Sequence, residues 1–479
     1  MRVIVLEKQL KMSNWSSVAL VLTVVASALA CEKHHREEHF AAPRTTAPAV
    51  PAPRPPPPAQ VDGAVSPEEA GVVLPRDAGG RPVGDAEVPL GERDAAVNDA
   101  SSGNTDSTDE RPPVVLEFTK RRLLESAAQC ALEHYQAFAA RAQVLADAVA
   151  EYADSPSGVL RQAAQQAFVE AMQRFQQLEL FRMGPAARSM DPGGRDLRDL
   201  MYAFPQTNRC QIDRHLVSRA YSADVDQLLF NARGLGALEY LLFNSSSENG
   251  CSALTDINAT GSWAALSEDE RASRRAEYAS AVAHDVERQA KKLVQAWLPT
   301  GENFTQQFVE AGERSQVYAS QQAALNALSH ALFYVDKEVK DYKLGWPLGM
   351  VAECISGHCP EAVESPYARV SLDNIARNLH AFRLVFEGCQ ANYEGLGFDD
   401  WLRAAYPEGD LDRRMLEALK QAQRVVADFE GSLEVAFYDD PEAARRIHAA
   451  IKSLTDLLKT EFVSVLNLEL PMTAEGDND

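Results

Sequence analysis

The sequence predicts an all-α fold, two four-helix bundles behind a disordered N-terminal tether. Three observations carry that expectation. From Val114 onward apolar residues recur at helical spacing, and Gly and Pro cluster at breaks between the patterned segments. No run alternates apolar and polar residues for long enough to suggest a sheet. The patterned part exceeds the usual length of one domain and divides at Pro299-Thr-Gly301 into two successive sets of roughly four long helices. The expected organisation is a leader at 1–31, a tether at 32–113, a first bundle at 114–299 and a second at 300–470.

The leader comes first. Arg2, Lys8 and Lys11 precede an apolar run from Val18 to Ala30, which is short for a spanning helix. Met12 as an alternative start would remove all three basic residues. Ser27-Ala-Leu-Ala-Cys31 resembles a bacterial lipobox, so Cys31 is the expected acylated first residue of the mature chain. An ordinary cleavage near Ala30 is the plainer alternative. Glu32, where Asp would be the usual inner-membrane retention signal, points to the outer membrane, facing the periplasm or the cell surface.

The segment from Glu32 to Pro113 cannot build a core. Pro51 to Pro58 is nearly all Pro and Ala, and Gly, Asp, Ser and Asn dominate from Asp77 to Asp109. His34, His35 and His39 lie in its charged start, where a solvated tether is the plainer reading and metal scavenging the sharper one.

Each helix has its own local signals. The first runs to Tyr152. Ser155-Pro156 then reads as N-cap and first residue of a helix through about Phe181. Gly184-Pro185 and Asp191-Pro-Gly-Gly194 break the pattern before an apolar helix expected from Ala223 to Phe243. Ser267-Glu-Asp-Glu270 is a capping-box start for a helix ending near Leu298. The second half reads as helices over Phe304–Tyr342, Leu372–Asn392, Leu411–Phe437 and Pro441–Leu466, the last started by Asp440-Pro441.

A formal net charge of −22 argues against nucleic acid as a partner, because such binding needs clustered Lys and Arg. Beyond Cys31 the chain carries six cysteines, an even set that suits disulfides in an exported protein. Cys354 pairs readily with Cys359 across a short loop, and Cys210 with Cys251 if the chain doubles back. Whether Cys130 and Cys389 pair is left open. A zinc site of Cys354, His358 and Cys359 lacks a fourth partner.

The most informative residues are Gly234-Leu-Gly-Ala-Leu-Glu239, within Arg233 to Phe243. Glu239 sits mid-way along an apolar segment, and an acid placed there needs a partner or a ligand. The pattern resembles the glycine-x-histidine-x-x-glutamate signature of the imelysin-like family, with Gly236 at the histidine position. Three further places carry the likeness: Tyr135 followed by Ser155-Pro-Ser157, Asp336 through Gly349, and Val363-Glu-Ser-Pro-Tyr-Ala-Arg-Val-Ser371 leading to Asn378. The resemblance covers about Leu123 to Leu466. It implies two four-helix bundles with a cleft between them, in lipoproteins of the periplasm and outer membrane linked to iron acquisition. The family takes its name from an insulin-cleaving metallopeptidase, and its signature has been read as a metal site. By the same resemblance Lys343, Glu364, Ser365 and Ser371 line the cleft.

The residues set limits on that inheritance. His-x-x-Glu places one imidazole and one carboxylate on one helix face, already half a metal site, and Gly236 removes the imidazole. Glu239 is then a poor anchor for iron or zinc, and its expected partner is a cation such as Arg369 or Arg377, or backbone donors, from the second half. His215, upstream of the signature helix, is the candidate to replace the missing imidazole from the preceding turn, whereas His284 and His330 read as ordinary core or surface histidines. A glycine in a helix is costly, so Gly234 and Gly236 imply a kink or a close approach; the vacated space either admits a small ligand or water or, the preferred reading, is filled by a neighbouring aromatic. Lys337, Lys340 and Lys343, interleaved with Asp336 and Asp341, read most plainly as a solvated face. Ser371 reads equally as an N-cap.

The leading expectation is a lipid-anchored envelope protein that binds without catalysis and serves iron, haem or metal acquisition, with an envelope transport protein as possible partner. A metallopeptidase is the runner-up, and a structural or interaction module without metal the third reading.

Overall fold

Helix α1, Lys120–Asp154, opens the described part of the chain, which is residues 117–390 and 392–474 of a computed structural model. The leader, Cys31, and the tether with its three histidines lie outside the described residues. Thr119 caps α1 by accepting from the Arg122 amide at 3.2 Å. Leu124, Ala131, Tyr135, Phe138, Ala142 and Leu145 recur along its buried face at the spacing of a helix stripe.

Helix α2, Gly158–Leu178, is capped by Ser157, whose hydroxyl accepts from the Leu160 amide. The expected cap, Ser155, instead closes α1 by donating its amide to the Glu151 carbonyl, so the new helix starts later. Helix α3, Arg209–Ser218, was not anticipated from the sequence; Asn208 caps it. The apolar helix expected from Ala223 is shorter: α4 spans Gly234–Phe243, after single turns at Val225–Gln227 and Phe230–Ala232. Gly234 sets that boundary. Its φ of 74° interrupts helical geometry, and a Cβ there would lie 2.6 Å from the Met201 carbonyl oxygen. Helix α5, Glu268–Trp297, begins with the expected capping box of Ser267 and Glu270.

The second half departs from the sequence reading in one place above all. A single helix was expected from Phe304 to Tyr342, but the chain forms α6 (Phe304–Val309), α7 (Gln321–Leu332) and the π-helical α8 (Val335–Gly345). Gly312 at φ 81° turns the chain after α6, and the Ser315 hydroxyl accepts from the amides of Val317 and Tyr318. Next come α9 (Ser371–Glu387), stopped by Gly388 at φ 119°, and the unforeseen α10 (Phe398–Ala405). The expected helix Leu411–Phe437 is two, α11 (Leu411–Ala427) and α12 (Leu433–Asp439), broken where Gly431 takes φ 97°. Asp440 caps α13, Pro441–Leu457, with Pro441 at its first position as expected.

No strand occurs among the described residues. Helices α1, α2, α4 and α5 pack together as one bundle, and α8, α9, α11 and α13 as the other. The bundles meet where α2 lies on α9. Helices α6 and α7 return to α1, so the first core draws on chain beyond Gly301. Cys210–Cys251 and Cys354–Cys359 form the two expected disulfides. Cys130–Cys389 forms a third, joining α1 to the end of α9 across 259 residues of sequence. Among the described residues no helix is long and apolar enough to cross a membrane.

Candidate functional site

Glu239 projects from α4 into the seam between the bundles and is 4% exposed. Its Oε1 accepts from the backbone amides of Tyr367 at 2.9 Å and Ala368 at 3.0 Å. Those amides are presented by a tight turn in which the Ser365 carbonyl accepts from the Arg369 amide, and both flanking residues take left-handed φ, 50° and 58°. The partner from the second half is therefore main chain. Arg377 faces Asp373 on its own helix at 3.5 Å. Burial pushes the Glu239 carboxyl up to about 7; the two amides and the Ser365 hydroxyl pull the other way, and the charge of Glu364 adds to the rise.

Gly236 has a different reason to be glycine from Gly234. A Cβ at Gly236 would lie 2.3 Å from the Thr207 hydroxyl oxygen. The space next to the histidine position is thus taken by Thr207, a small polar side chain, and the expected aromatic filler is not what occupies it.

Beyond Gly236 and Glu239 lies a cavity of about 560 Å³. Tyr202, Phe204, Tyr240, Trp346 and Tyr367 supply most of its apolar wall, and Arg209, Glu353 and Glu361 its charges. Tyr240 and Tyr367 meet edge to face at 5.3 Å, and the Arg209 guanidinium stands 5.5 Å over the Tyr367 ring. Ser365 also lines the cavity; Lys343, Glu364 and Ser371 lie behind it.

Those three belong to a buried polar core at the α2–α9 seam. Lys343 and Glu364 form an ion pair at 3.1 Å, both side chains without exposure. Glu364 also accepts from Tyr202 at 2.7 Å, Gln176 at 3.1 Å and Asn374 at 3.0 Å. Lys343 donates to Gln176 at 2.7 Å and Asn378 at 2.8 Å. Burial lowers the lysine's pKa, and Glu364 opposes that shift. The lysine run is therefore no solvated face. Lys340 and Lys343 are buried because α8 packs against α13 and α9, and Asp336 and Asp341 are buried with them. Ser371 is not an N-cap either. It is the first residue of α9, its amide donates to Glu434 at 2.9 Å, and its hydroxyl donates to the Glu364 carbonyl.

Arg233 turns away from the cleft. It holds the fully buried Asp285 of α5 with two hydrogen bonds, at 2.7 and 2.8 Å, and reaches Asp226 as well. Tyr202, Gln176, Thr207, Asn374 and Asn378 were not singled out from sequence. Asn374 and Asn378 alone left a legible signal, two amides four residues apart on the buried face of an apolar helix.

The donor set does not fit zinc or iron. Among the described residues no histidine lines the cavity, and Cys359, which does, is held in a disulfide. Glu239 is already engaged by amides, and Glu364 by a lysine. The disulfide also removes the ligands of the Cys354–His358–Cys359 alternative; His358 Nε2 donates to the Phe437 carbonyl at 2.8 Å. His215 meets Gln211, His284 is near Glu287, and His330 contacts the Glu469 carbonyl.

A family model described as Imelysin, peptidase M75, matches residues 131–460. The chain belongs to the imelysin family. It is 25% identical over 262 residues to iron-regulated protein A of Synechococcus elongatus, an alignment covering 54% of this chain and 62% of that protein. It thus spans about three-fifths of that relative's length. Its fold matches the crystal structure of a provisionally named iron-regulated protein A precursor from Parabacteroides distasonis, with a TM-score of 0.54 and 15% identity over 73% of this chain and 97% of that one. An imelysin-like protein from Psychrobacter arcticum aligns with a TM-score of 0.52 and 15% identity, over 75% and 99% of the two chains. Both likenesses are to the imelysin-like fold, as the sequence motifs implied.

Proposed function

We propose that this imelysin-family chain is a non-enzymatic binding protein of the bacterial cell envelope, held by an acylated Cys31 and serving iron or haem acquisition. One observation carries the reading. The signature carboxylate is tied to the Tyr367–Ala368 turn, and beside it opens an aromatic-walled cavity of about 560 Å³. A peptidase needs a metal, an activated water and an open coordination position, and Glu239 with Gly236 supplies none of the nitrogen ligands for them. The link to iron rests on the name of the Synechococcus relative, and the envelope location on the leader and lipobox. The family description as a peptidase keeps metal-dependent hydrolysis as the second reading.

The test uses the oxidised full chain with Cys31→Ser. Haem and ferric citrate are titrated separately while tryptophan fluorescence is followed, and hydrolysis of an unstructured polypeptide is assayed with added zinc. Saturable binding of either probe, weakened at least tenfold by Ala362→Trp in the cavity wall, supports the proposal. Hydrolysis that Glu239→Gln abolishes refutes it in favour of the peptidase. Absence of both binding and hydrolysis refutes it in favour of a protein-interaction module.

A further inference from the structure

A second group of side chains lies away from the cleft, where the first half of α1 meets the chain just after α9. Cys130 and His134 are four residues apart, so their side chains share one face of that helix. The Cys130 Sγ is 3.9 Å from His134 Nδ1. Cys389, at the end of α9, completes the group, and one ligating atom from each of the three lies within 4.8 Å of the others. Among the described residues this is the one cluster of three such side chains so placed. It joins residues 259 apart in sequence, so the fold builds it.

We propose that Cys130, His134 and Cys389 form a redox-gated site for a thiophilic divalent metal ion, closed while the disulfide stands and opened by an external dithiol. Two thiolates and an imidazole are the donors that zinc-like ions favour, and three protein ligands leave a fourth position open. Tetrahedral zinc at ordinary bond lengths separates its ligands by roughly 3.3–3.8 Å. The three groups therefore need shifts of about 1 Å, and no movement of a helix. Access exists: both cysteines line a cavity of about 210 Å³ whose rim carries Glu125, Gln129 and Glu133, all exposed. Its two carboxylates outnumber the one guanidinium in the lining, that of Arg122, and favour the approach of a cation.

An external dithiol gives two electrons and two protons to the Cys130–Cys389 bond, which breaks to two thiols while the dithiol closes its own disulfide. Metal capture releases the two thiol protons. His134 Nδ1 donates to the Cys130 carbonyl at 2.9 Å in the closed state. On capture the imidazole proton moves to Nε2, and the Nδ1 lone pair turns to the metal. Because the disulfide joins the two bundles, the same event exchanges a covalent clamp between α1 and α9 for a coordinate one.

The test uses the full chain with Cys31→Ser, oxidised or reduced with a phosphine, and titrated with cadmium ions. The thiolate-to-cadmium charge-transfer band is read, with zinc as competitor. The reduced chain should bind one more tight equivalent than its Cys130→Ser/Cys389→Ser variant, and the oxidised chain should bind none at this site. His134→Gln should weaken that equivalent about tenfold or more while the two thiols remain. Circular dichroism checks that the reduced chain keeps its helices. Equal stoichiometry in the reduced chain and the double serine variant would overturn the proposal. So would an unchanged affinity in His134→Gln, or loss of helix on reduction, since the ligands would then separate.

Discussion

Replacing Glu239 by Gln should stabilise this protein at pH 8 and leave it nearly unchanged at pH 4.5. The carboxyl is pushed from 4.5 up to about 7 by burial. Its folded pKa lies above its unfolded one, so the folded state holds a proton that the unfolded state has lost between those values. The associated stability is fully present below about pH 4.5 and is lost as pH rises through about 7. At about 1.4 kcal/mol per pH unit, the ionised carboxylate costs about 3 kcal/mol above pH 7. Glutamine keeps an oxygen for the Tyr367 and Ala368 amides but never ionises. With roughly 2 cal/mol/K of unfolding entropy per residue over about 350 residues, the variant should melt about 4 °C higher at pH 8. Thermal unfolding of both chains between pH 4.5 and 8.5 measures it. Parallel curves across that range would refute the reasoning. A variant less stable at pH 8 would show that the two amides require the charge.

Three other perturbations follow from the same geometry. Gly236→His should cost about 1–3 kcal/mol, because its Cβ would meet the Thr207 hydroxyl at 2.3 Å, and Thr207→Gly in the same chain should recover part of that loss in urea unfolding. Lys343→Met should cost about 3–5 kcal/mol by leaving Glu364 buried without its cation, and Lys343→Met/Glu364→Gln should recover most of it; equal losses in the single and double variants would show that the pair is not coupled. Removing Cys210–Cys251, which closes a separation of 41 residues, should cost about 4 kcal/mol at neutral pH, read as a lowered denaturation midpoint in Cys210→Ser/Cys251→Ser.

The helical class was legible because burial imposes a period on α1, α5 and α13, and their caps at Ser267 and Asp440 are written in side-chain chemistry. The breaks at Gly312 and Gly431 were less legible. Each is a single glycine whose left-handed φ is visible only in the folded backbone: Gly312 packs against the Ser320 main chain, whereas Gly431 turns in open space. At the site, the departure at Gly236 and the isolation of Glu239 could be read directly. Backbone donors from the second half were one of the two partners expected, but not which residues supply them, because main-chain amides carry no signature in sequence. Lys340 and Lys343 misled for a related reason: charges at helical spacing look solvated until other helices cover them, and here Lys340 pairs with Asp336 and Asp341 of its own helix while Gln176, Asn378 and Glu364 of distant segments surround Lys343. Thr207 left no signal, since its role is to occupy a space that exists only in the folded chain.

Glu239, tied to the Tyr367–Ala368 turn, is proposed as a strut between the bundles and not as a metal ligand. Calorimetric titration of zinc and of ferrous iron into the oxidised natural chain and its Glu239→Gln variant tests it most directly. No tight binding that depends on Glu239 is expected, and the same weak heats in both chains. Near-stoichiometric tight binding by the natural chain, abolished in Glu239→Gln, would contradict it.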